Sequence, residues 1–317
     1  MSSARATSAS IKAKQRPGDR IFSGGALTAG TIILAVLAAV ASFLVAESIP
    51  AVTTPVEDIS ILDGENSFWS YVWPLIFGTI WSSALALVMA VPVAIGIALF
   101  ISHYAPRRLA NGLGYIIDLL AAVPSVVFGL WGANVLAPAV QPFYTWLTEN
   151  FGWIPLFAPP ASGTGRTILT AAVVLAVMVL PIITALCREV FLQTPTLHEE
   201  AALALGATRW EMIRVAVLPF GRPGIISASM LGLGRALGET MAVAMVLSSS
   251  GGITFDILTA SNPGTIAANI ALSFPEAYGA NVNVLIATGL MLFAITLIVN
   301  SIARFIVNRR AAFSGAN

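Results

Sequence analysis

The chain has 317 residues, of which 57% are hydrophobic and only 10% are charged. A water-soluble domain carries about a quarter charged residues, so this composition excludes an ordinary soluble protein and indicates an integral membrane protein. The 16 basic and 15 acidic residues give a net charge of +1, which argues against a nucleic-acid partner because phosphate contacts need clustered excess basic charge. One cysteine and two histidines are too few for a disulfide framework, a cysteine-only metal site or a histidine-built catalytic centre.

Six apolar stretches are long enough to cross a bilayer, because about 20 helical residues span a hydrocarbon core of about 30 Å. The sequence therefore predicts an all-α fold with six transmembrane helices. The predicted spans are residues 24–46, 73–101, 114–138, 167–187, 223–248 and 284–307.

The first apolar stretch follows five basic residues, a pattern that a cleaved signal peptide shares. The apolar core of a signal peptide has about 7–15 residues, whereas this stretch runs from 24 to 46. We therefore favour an uncleaved helix over a cleaved signal. Residues 1–22 are predicted to form a disordered basic tail, and residues 23–71 the first helix with an acidic outer loop.

The basic residues mark one side of the predicted spans. Fourteen of the 16 lie in the amino-terminal tail, the loops after the second and fourth spans, or the carboxy-terminal end. Because basic residues accumulate on the cytoplasmic side, both termini are predicted to be inside, with residues 310–317 as a second cytoplasmic tail. Acidic residues dominate the opposite loops, and residues 139–165, rich in Pro, Gly and aromatics, are predicted to form an outer interfacial excursion.

The loop between the fourth and fifth spans, residues 188–222, predicts two short helices joined by an elbow. Thr194 is placed to cap a helix that begins at Pro195. Gly206 supplies the left-handed residue that ends it. Thr208 and Glu211 have the spacing of a capping box for the second helix, which Pro219 is predicted to close. Such an elbow either docks on a partner or merely connects two spans.

The residues of this elbow carry a family resemblance. Glu200-Ala201-Ala202, then Gly206, then Leu218-Pro219 resemble the EAA loop of binding-protein-dependent ABC importer permeases. The family pattern is E-A-A-x3-G-x9-I-x-L-P, and only its isoleucine is missing, since Ala216 stands there. The resemblance implies a MetI-like, type I importer fold, with the permease domain at residues 72–309.

The resemblance also implies partners and roles. The elbow would be a coupling helix that inserts into a separate ATPase subunit, Gly206 would make its turn, and Glu200 would form a salt bridge with Arg209 or Arg214. The chain has no phosphate-binding loop of the G-x-x-x-x-G-K-[ST] type. ATP and Mg²⁺ are therefore expected on the partner, and this chain is expected to be a transporter subunit rather than an enzyme.

Three ionisable residues are predicted to lie inside the bilayer, where each costs roughly 3 kcal/mol on insertion scales. Arg235 and Glu239 are four residues apart, so on one helix they would share a face, and Asp118 is a second candidate partner for Arg235. One interpretation is a structural ion pair. The other, which we favour, is a transport route in which the arginine fork binds an oxyanion and Glu239 keeps its affinity low.

Two further segments indicate which subgroup of these permeases the chain resembles. Residues 119–132, LLAAVPSVVFGLWG, and residues 231–243, LGLGRALGETMAV, resemble the phosphate-specific, PstC-type permeases. In that subgroup the Arg and Glu of the second segment, here Arg235 and Glu239, are regarded as important for phosphate passage. Ser125 could offer a hydroxyl to a passing oxyanion, or simply pack between helices.

The PstC-type resemblance implies a heterodimer with a sister permease, two ATPase subunits and an extracytoplasmic phosphate-binding protein. Alternatives within this class are the PstA-type sister subunit and a permease for sulfate or molybdate. A different class, an ion-gradient-driven transporter, would use Asp118 or Glu239 as a proton relay, and an anion channel would conduct passively.

Overall fold

The computed structural model describes residues 17–250 and 252–311, and in this part of the chain the regular structure is helical apart from one isolated bridge. The predicted all-α class is confirmed. The α-helices of the described residues, in chain order, are α1 Pro17–Thr53, α2 Phe68–Leu99, α3 Arg107–Ala121, α4 Ser125–Trp131, α5 Ala137–Phe151, α6 Ile168–Leu192, α7 Thr196–Ala204, α8 Arg209–Met212, α9 Leu218–Leu237, α10 Met241–Val246, α11 Ile266–Ser273 and α12 Ala280–Ala311.

The chain divides into two compact units, residues 1–46 and 47–317. In its described part the first unit is the continuous helix α1, so the predicted disordered tail of residues 1–22 is helical from Pro17 onward. Residues 1–16 and 312–317, which hold the rest of the two predicted tails, lie outside the described residues. The last turns of α1 belong to the second unit, where the Asn283 amide donates to the Glu47 carboxylate at 2.9 Å.

Six helical stretches of the described chain are long and apolar enough to cross a membrane, which confirms the predicted number. Four of them overlap their predicted positions closely, whereas the third and the fifth are displaced along the sequence. The six stretches are Ile21–Thr53, Phe68–Tyr104, Ser125–Phe151, Ile168–Leu192, Arg209–Leu237 and Ala280–Phe305.

The third span begins at Ser125 rather than at residue 114. Pro124 breaks the helix, because proline has no N–H and disfavours helical backbone in the residue before it. Residues 107–121 form the separate helix α3, which packs against α6. Asp118 is an exposed residue of α3 and lies between the second and third stretches that can cross a membrane, so its predicted place inside a span is wrong. The predicted outer excursion is wrong for residues 139–151, which continue the span to Phe151.

Two prolines inside spans are accommodated by π-helical turns. The turns Gly132–Leu136 and Ile213–Val217 come directly before α5 and α9, and a proline is the second residue of each of those helices. A π-turn changes the hydrogen-bond ladder locally, so a residue without an N–H fits beside it. The prediction that Pro219 closes the second elbow helix is therefore wrong, since the helix continues from Arg209 to Leu237.

The core of the second unit is formed by α2, α6 and α9. Every fourth residue on one face of α2 is a buried alanine, namely Ala86, Ala90, Ala94 and Ala98. On α9, a Cβ added at Gly232 would lie 2.7 Å from Ile183 Cδ1 of α6. Small residues of this kind let transmembrane helices approach closely. The close packing fixes the position of α9, which carries Arg235 at its carboxy-terminal end.

Candidate functional site

Two helix breaks lie next to the same cavity. The first, at residues 122–124, separates α3 from the start of the third span, and the second, at residues 238–240, separates the end of the fifth span from α10. Pro124 explains the first break as described above. At the second break stands Gly238, and glycine is among the weakest helix formers. Non-helical backbone at membrane depth is tolerated where it is buried in protein or lines a water-filled cavity.

The short helices that follow the two breaks, α4 and α10, pack directly on each other. A Cβ added at Gly129 of α4 would lie 2.9 Å from both the Ala242 Cα and the Met245 Sδ of α10. Real side chains essentially never show such a distance to backbone, so only glycine permits this approach. Gly129 therefore allows α4 and α10 to pack closely beside the cavity.

The cavity between the breaks has a volume of about 580 Å³. Three of the four residues predicted to line a substrate pathway, Ser125, Arg235 and Glu239, contribute to its wall together with residues 121–124. The structure thus brings together residues that are more than a hundred positions apart in the sequence. Asp118, the fourth, is not among the lining residues.

Glu239 and Arg235 do not form the ion pair that their spacing predicts. The helix ends at Leu237, so the two side chains no longer share one helical face. Glu239 is only 8% exposed, and its Oε1 accepts the backbone N–H of Ala242 at 3.2 Å. The carboxylate therefore caps α10, since it satisfies one of the backbone donors that a helix leaves unpaired at its amino-terminal end.

Arg235 has no partner among the residues that the structure describes. Within the described residues its guanidinium makes no ion pair and no hydrogen bond, and its side chain is exposed to the cavity space. Guanidinium offers five N–H donors in a planar fork that suits a tetrahedral oxyanion. No group of three or more His, Cys, Asp or Glu side chains in the described chain is placed to hold a metal ion. The site is thus able to bind an anion through Arg235.

The elbow contains α7, a turn at Gly206, and α8. Gly206 has φ of +87°, in the left-handed region that favours glycine. The Gly206 N–H donates to the Leu203 carbonyl, and the Ala207 N–H donates to the Ala202 carbonyl, as in a Schellman motif. The predicted turn is therefore confirmed by its backbone conformation.

The predicted caps of the elbow have different outcomes. The capping box is present, because the Thr208 hydroxyl accepts the Glu211 N–H and the Glu211 carboxylate accepts the Thr208 N–H at 2.8 Å. The predicted cap at Thr194 is wrong. Its hydroxyl is buried without a hydrogen-bond partner, and α7 begins at Thr196, after Pro195.

A groove of about 550 Å³ runs beside α7. Its walls include Ala201, Ala202 and Pro219 of the EAA-like pattern, and also Ala216, which stands where the pattern has isoleucine. Leu205 at the tip is 90% exposed. Exposed apolar side chains around a groove typically mark a protein interface, so the groove is a candidate docking surface.

Glu200 is exposed and has no hydrogen-bond or ion-pair partner among the described residues. The salt bridge with Arg209 or Arg214, which the family resemblance implied, is therefore not formed. The neighbouring Glu199 is paired instead, and its Oε1 lies 3.4 Å from His103 Nε2 at the end of the second span. Sequence reasoning missed this contact because its partners are 96 residues apart.

The amino-acid sequence is similar to a known family of membrane transport proteins. Residues 90–312 match the family model described as binding-protein-dependent transport system inner membrane component. The chain is 45% identical over 312 residues to the phosphate transport system permease protein PstC 2 of Mycobacterium tuberculosis, covering 92% of each.

The fold of the chain is similar to that of chains in solved structures of ABC transporters. A bacterial ABC transporter that imports the acidic polysaccharide alginate has a TM-score of 0.61 and 19% identity, over 92% of this chain and 96% of that one. The MetNI methionine ABC transporter in an inward-facing conformation has a TM-score of 0.53 and 20% identity, over 75% of this chain and 94% of that one.

Proposed function

The chain belongs to the family of binding-protein-dependent transport system inner membrane components, and we propose that it is the PstC-type permease subunit of an ATP-driven importer of inorganic phosphate. Its family, together with the six long apolar helices of the described residues, makes it a multi-pass inner-membrane protein. The permease domain proposed for it is residues 72–309, with residues 188–222 as the coupling loop. Both termini are proposed to be cytoplasmic, because 14 of the 16 basic residues lie on that side.

The observation that carries the proposal is that Arg235, which has no partner among the described residues, lies in a cavity between two helix breaks. A cation at membrane depth is costly unless a counter-charge or water accompanies it. No carboxylate of the described chain pairs with Arg235, so a passing phosphate would neutralise it. The helix from Ser125 to Phe151 also begins at this cavity, and the positive end of its dipole favours an anion there.

Glu239 tunes the same site. Its carboxylate lines the cavity while one oxygen is held by the Ala242 N–H, so its negative charge opposes tight retention of an anion beside it. A transport site needs binding that is strong enough to admit the ion and weak enough to release it. We therefore assign Arg235 to attraction, Glu239 to release, and Ser125 to a hydroxyl contact with the passing anion.

The partners follow from the family. This chain would pair with a sister permease, two ATPase subunits that bind ATP and Mg²⁺, and a phosphate-binding protein outside the membrane. Docking of the loaded binding protein and ATP-driven closure of the ATPases would push on the elbow through Ala201, Ala202 and Gly206. The spans would then alternate between outward and inward access, and no covalent chemistry would occur in this chain.

We expect phosphate uptake to depend on ATP and not on an ion gradient. The complete complex, purified through a tag on this chain and reconstituted into proteoliposomes with enclosed ATP and external binding protein, should take up labelled phosphate. Uptake should persist with an uncoupler and stop without ATP, because the energy comes from the ATPase subunits.

The same assay separates the alternatives. Loss of uptake on adding the uncoupler would indicate a gradient-driven transporter, and flux without ATP would indicate a channel. Excess unlabelled sulfate or molybdate should leave uptake unchanged, whereas competition by either would indicate a permease for another oxyanion. Failure of ATPase subunits to co-purify with the chain would contradict the proposal at its first step.

A further inference from the structure

A second cavity, of about 630 Å³, lies between α6, α9 and α12. Gly234 and Arg235 line both this cavity and the one at the helix breaks, so Arg235 stands where the two meet. From Arg235 the second cavity extends along α9 as far as Ile226, more than two turns or about 14 Å closer to the end of the helix that adjoins the elbow. We name it the inner cavity.

The wall that α12 contributes to the inner cavity carries hydrogen-bond donors with no partner among the described residues. Asn300 and Arg304 of α12 line it, and their spacing of four residues places them on one face of that helix. Within the described residues, neither side chain forms a hydrogen bond or an ion pair. The Ser227 hydroxyl, in contrast, is already bonded to the Pro223 carbonyl. No carboxylate is among the residues that line this cavity.

The inner cavity brings two arginines, Arg235 and Arg304, to one space between apolar spans. Two guanidinium groups, Arg235 and Arg304, border one space whose other walls are largely apolar, such as Ile182 and Met230. Two like charges between apolar spans, with no counter-charge beside them, are unfavourable at membrane depth. An anion with the charge and the oxygen atoms of a phosphate group would neutralise both forks and accept from the Asn300 amide.

We propose that the inner cavity is a second phosphate site on the transport route, where Arg304 and Asn300 receive the anion as it leaves Arg235 towards the elbow side. This inference rests on the proposed function. A phospholipid headgroup has the same phosphate chemistry and could reach a cavity between helices. The proposal commits to the transported phosphate, because the cavity is continuous in its lining with the site at the helix breaks.

The test is phosphate uptake by the reconstituted complex with Arg304→Gln. The rate should fall at least about tenfold, as expected for the loss of a charged hydrogen bond, while the variant still co-purifies with its ATPase subunits. Arg108→Gln is the matched control, since Arg108 is an exposed arginine of α3 that lies outside the coupling loop and lines neither cavity, and it should keep wild-type uptake. Arg304→Lys, which keeps the charge without the fork, should be intermediate.

A second variant guards against failure of Arg304→Gln to assemble. Ser227→Phe fills the inner cavity from α9 and should also stop uptake. Wild-type uptake in both variants would overturn the inference and leave the proposed function intact, whereas absence of ATP-driven phosphate uptake by the wild-type complex would overturn both. If native mass spectrometry shows that Arg304→Gln loses a bound phospholipid while uptake in phosphatidylcholine vesicles is unchanged, the site is a lipid site and the inference is wrong.

Discussion

Arg235→Gln is expected to reduce phosphate uptake by about 100-fold in the reconstituted complex, consistent with the upper range for a charged hydrogen bond. Glutamine keeps a polar side chain of similar reach, but it has neither the positive charge nor the five donors of guanidinium. Because Arg235 pairs with no carboxylate in the described chain, removing it should not leave a buried acid uncompensated. Assembly with the ATPase subunits should therefore survive.

Two control variants distinguish a role of Arg235 in phosphate transport from a role in folding or assembly. Arg235→Lys keeps the charge and should retain part of the uptake. Arg108→Gln removes an equal charge on α3, away from both cavities, and should retain all of it. If Arg235→Gln transports at the wild-type rate, Arg235 serves packing alone. Loss of assembly in Arg235→Gln but not in Arg235→Lys would likewise indicate a structural role.

Gly206→Val is expected to uncouple ATP hydrolysis from uptake. The φ of +87° at Gly206 is a genuine outlier for a β-branched residue, and such strain costs about 1–3 kcal/mol. No atom lies within 4 Å of a Cβ added there, so the effect would come from the backbone conformation and not from a clash. The elbow would re-form with another geometry, and uptake should fall at least about tenfold while hydrolysis by the complex continues.

Gly206→Asn is the matched control, because asparagine tolerates the left-handed conformation far better than valine does. Both variants add a side chain into open space, and they differ in the backbone preference. Uptake and ATP hydrolysis are measured on the same proteoliposomes. Equal uptake in the valine and asparagine variants would show that the turn conformation does not matter for coupling.

Predictions from local chemistry were the most accurate. The number of spans follows from length and hydropathy, because each span satisfies its backbone within itself. The turn at Gly206 and the capping box at Thr208 and Glu211 depend on residues within a few positions, and the structure has both. The PstC-type resemblance, carried by short segments, is confirmed by identity that extends over 92% of the chain.

Two predictions were wrong because they assumed a continuous helix where the structure has a break. Arg235 and Glu239 share a face only on a continuous helix, and Gly238 interrupts it. Asp118 was placed in a span because its neighbours are apolar, whereas Pro124 separates α3 from the span. In both cases the interruption itself builds the cavity, so the error lies at the candidate site.

Other features could not be predicted because they depend on the tertiary arrangement. The contact of His103 with Glu199 joins the end of the second span to the elbow, and nothing in either segment indicates the other. In the sequence, Arg304 is only one of the 14 basic residues that indicate the cytoplasmic side. Its place in a cavity with Arg235 depends on how α12 packs against α9, which no local pattern encodes.

The central claim is that phosphate passes through the cavity at the helix breaks, and blocking that cavity tests it most directly. Ser125 lines the cavity, and the chain's single cysteine, Cys187, is buried. The measurement is ATP-driven phosphate uptake by a Ser125→Cys, Cys187→Ala complex before and after reaction with a water-soluble thiol reagent. Uptake should fall in proportion to the labelled fraction, while complete labelling with undiminished uptake would contradict the claim.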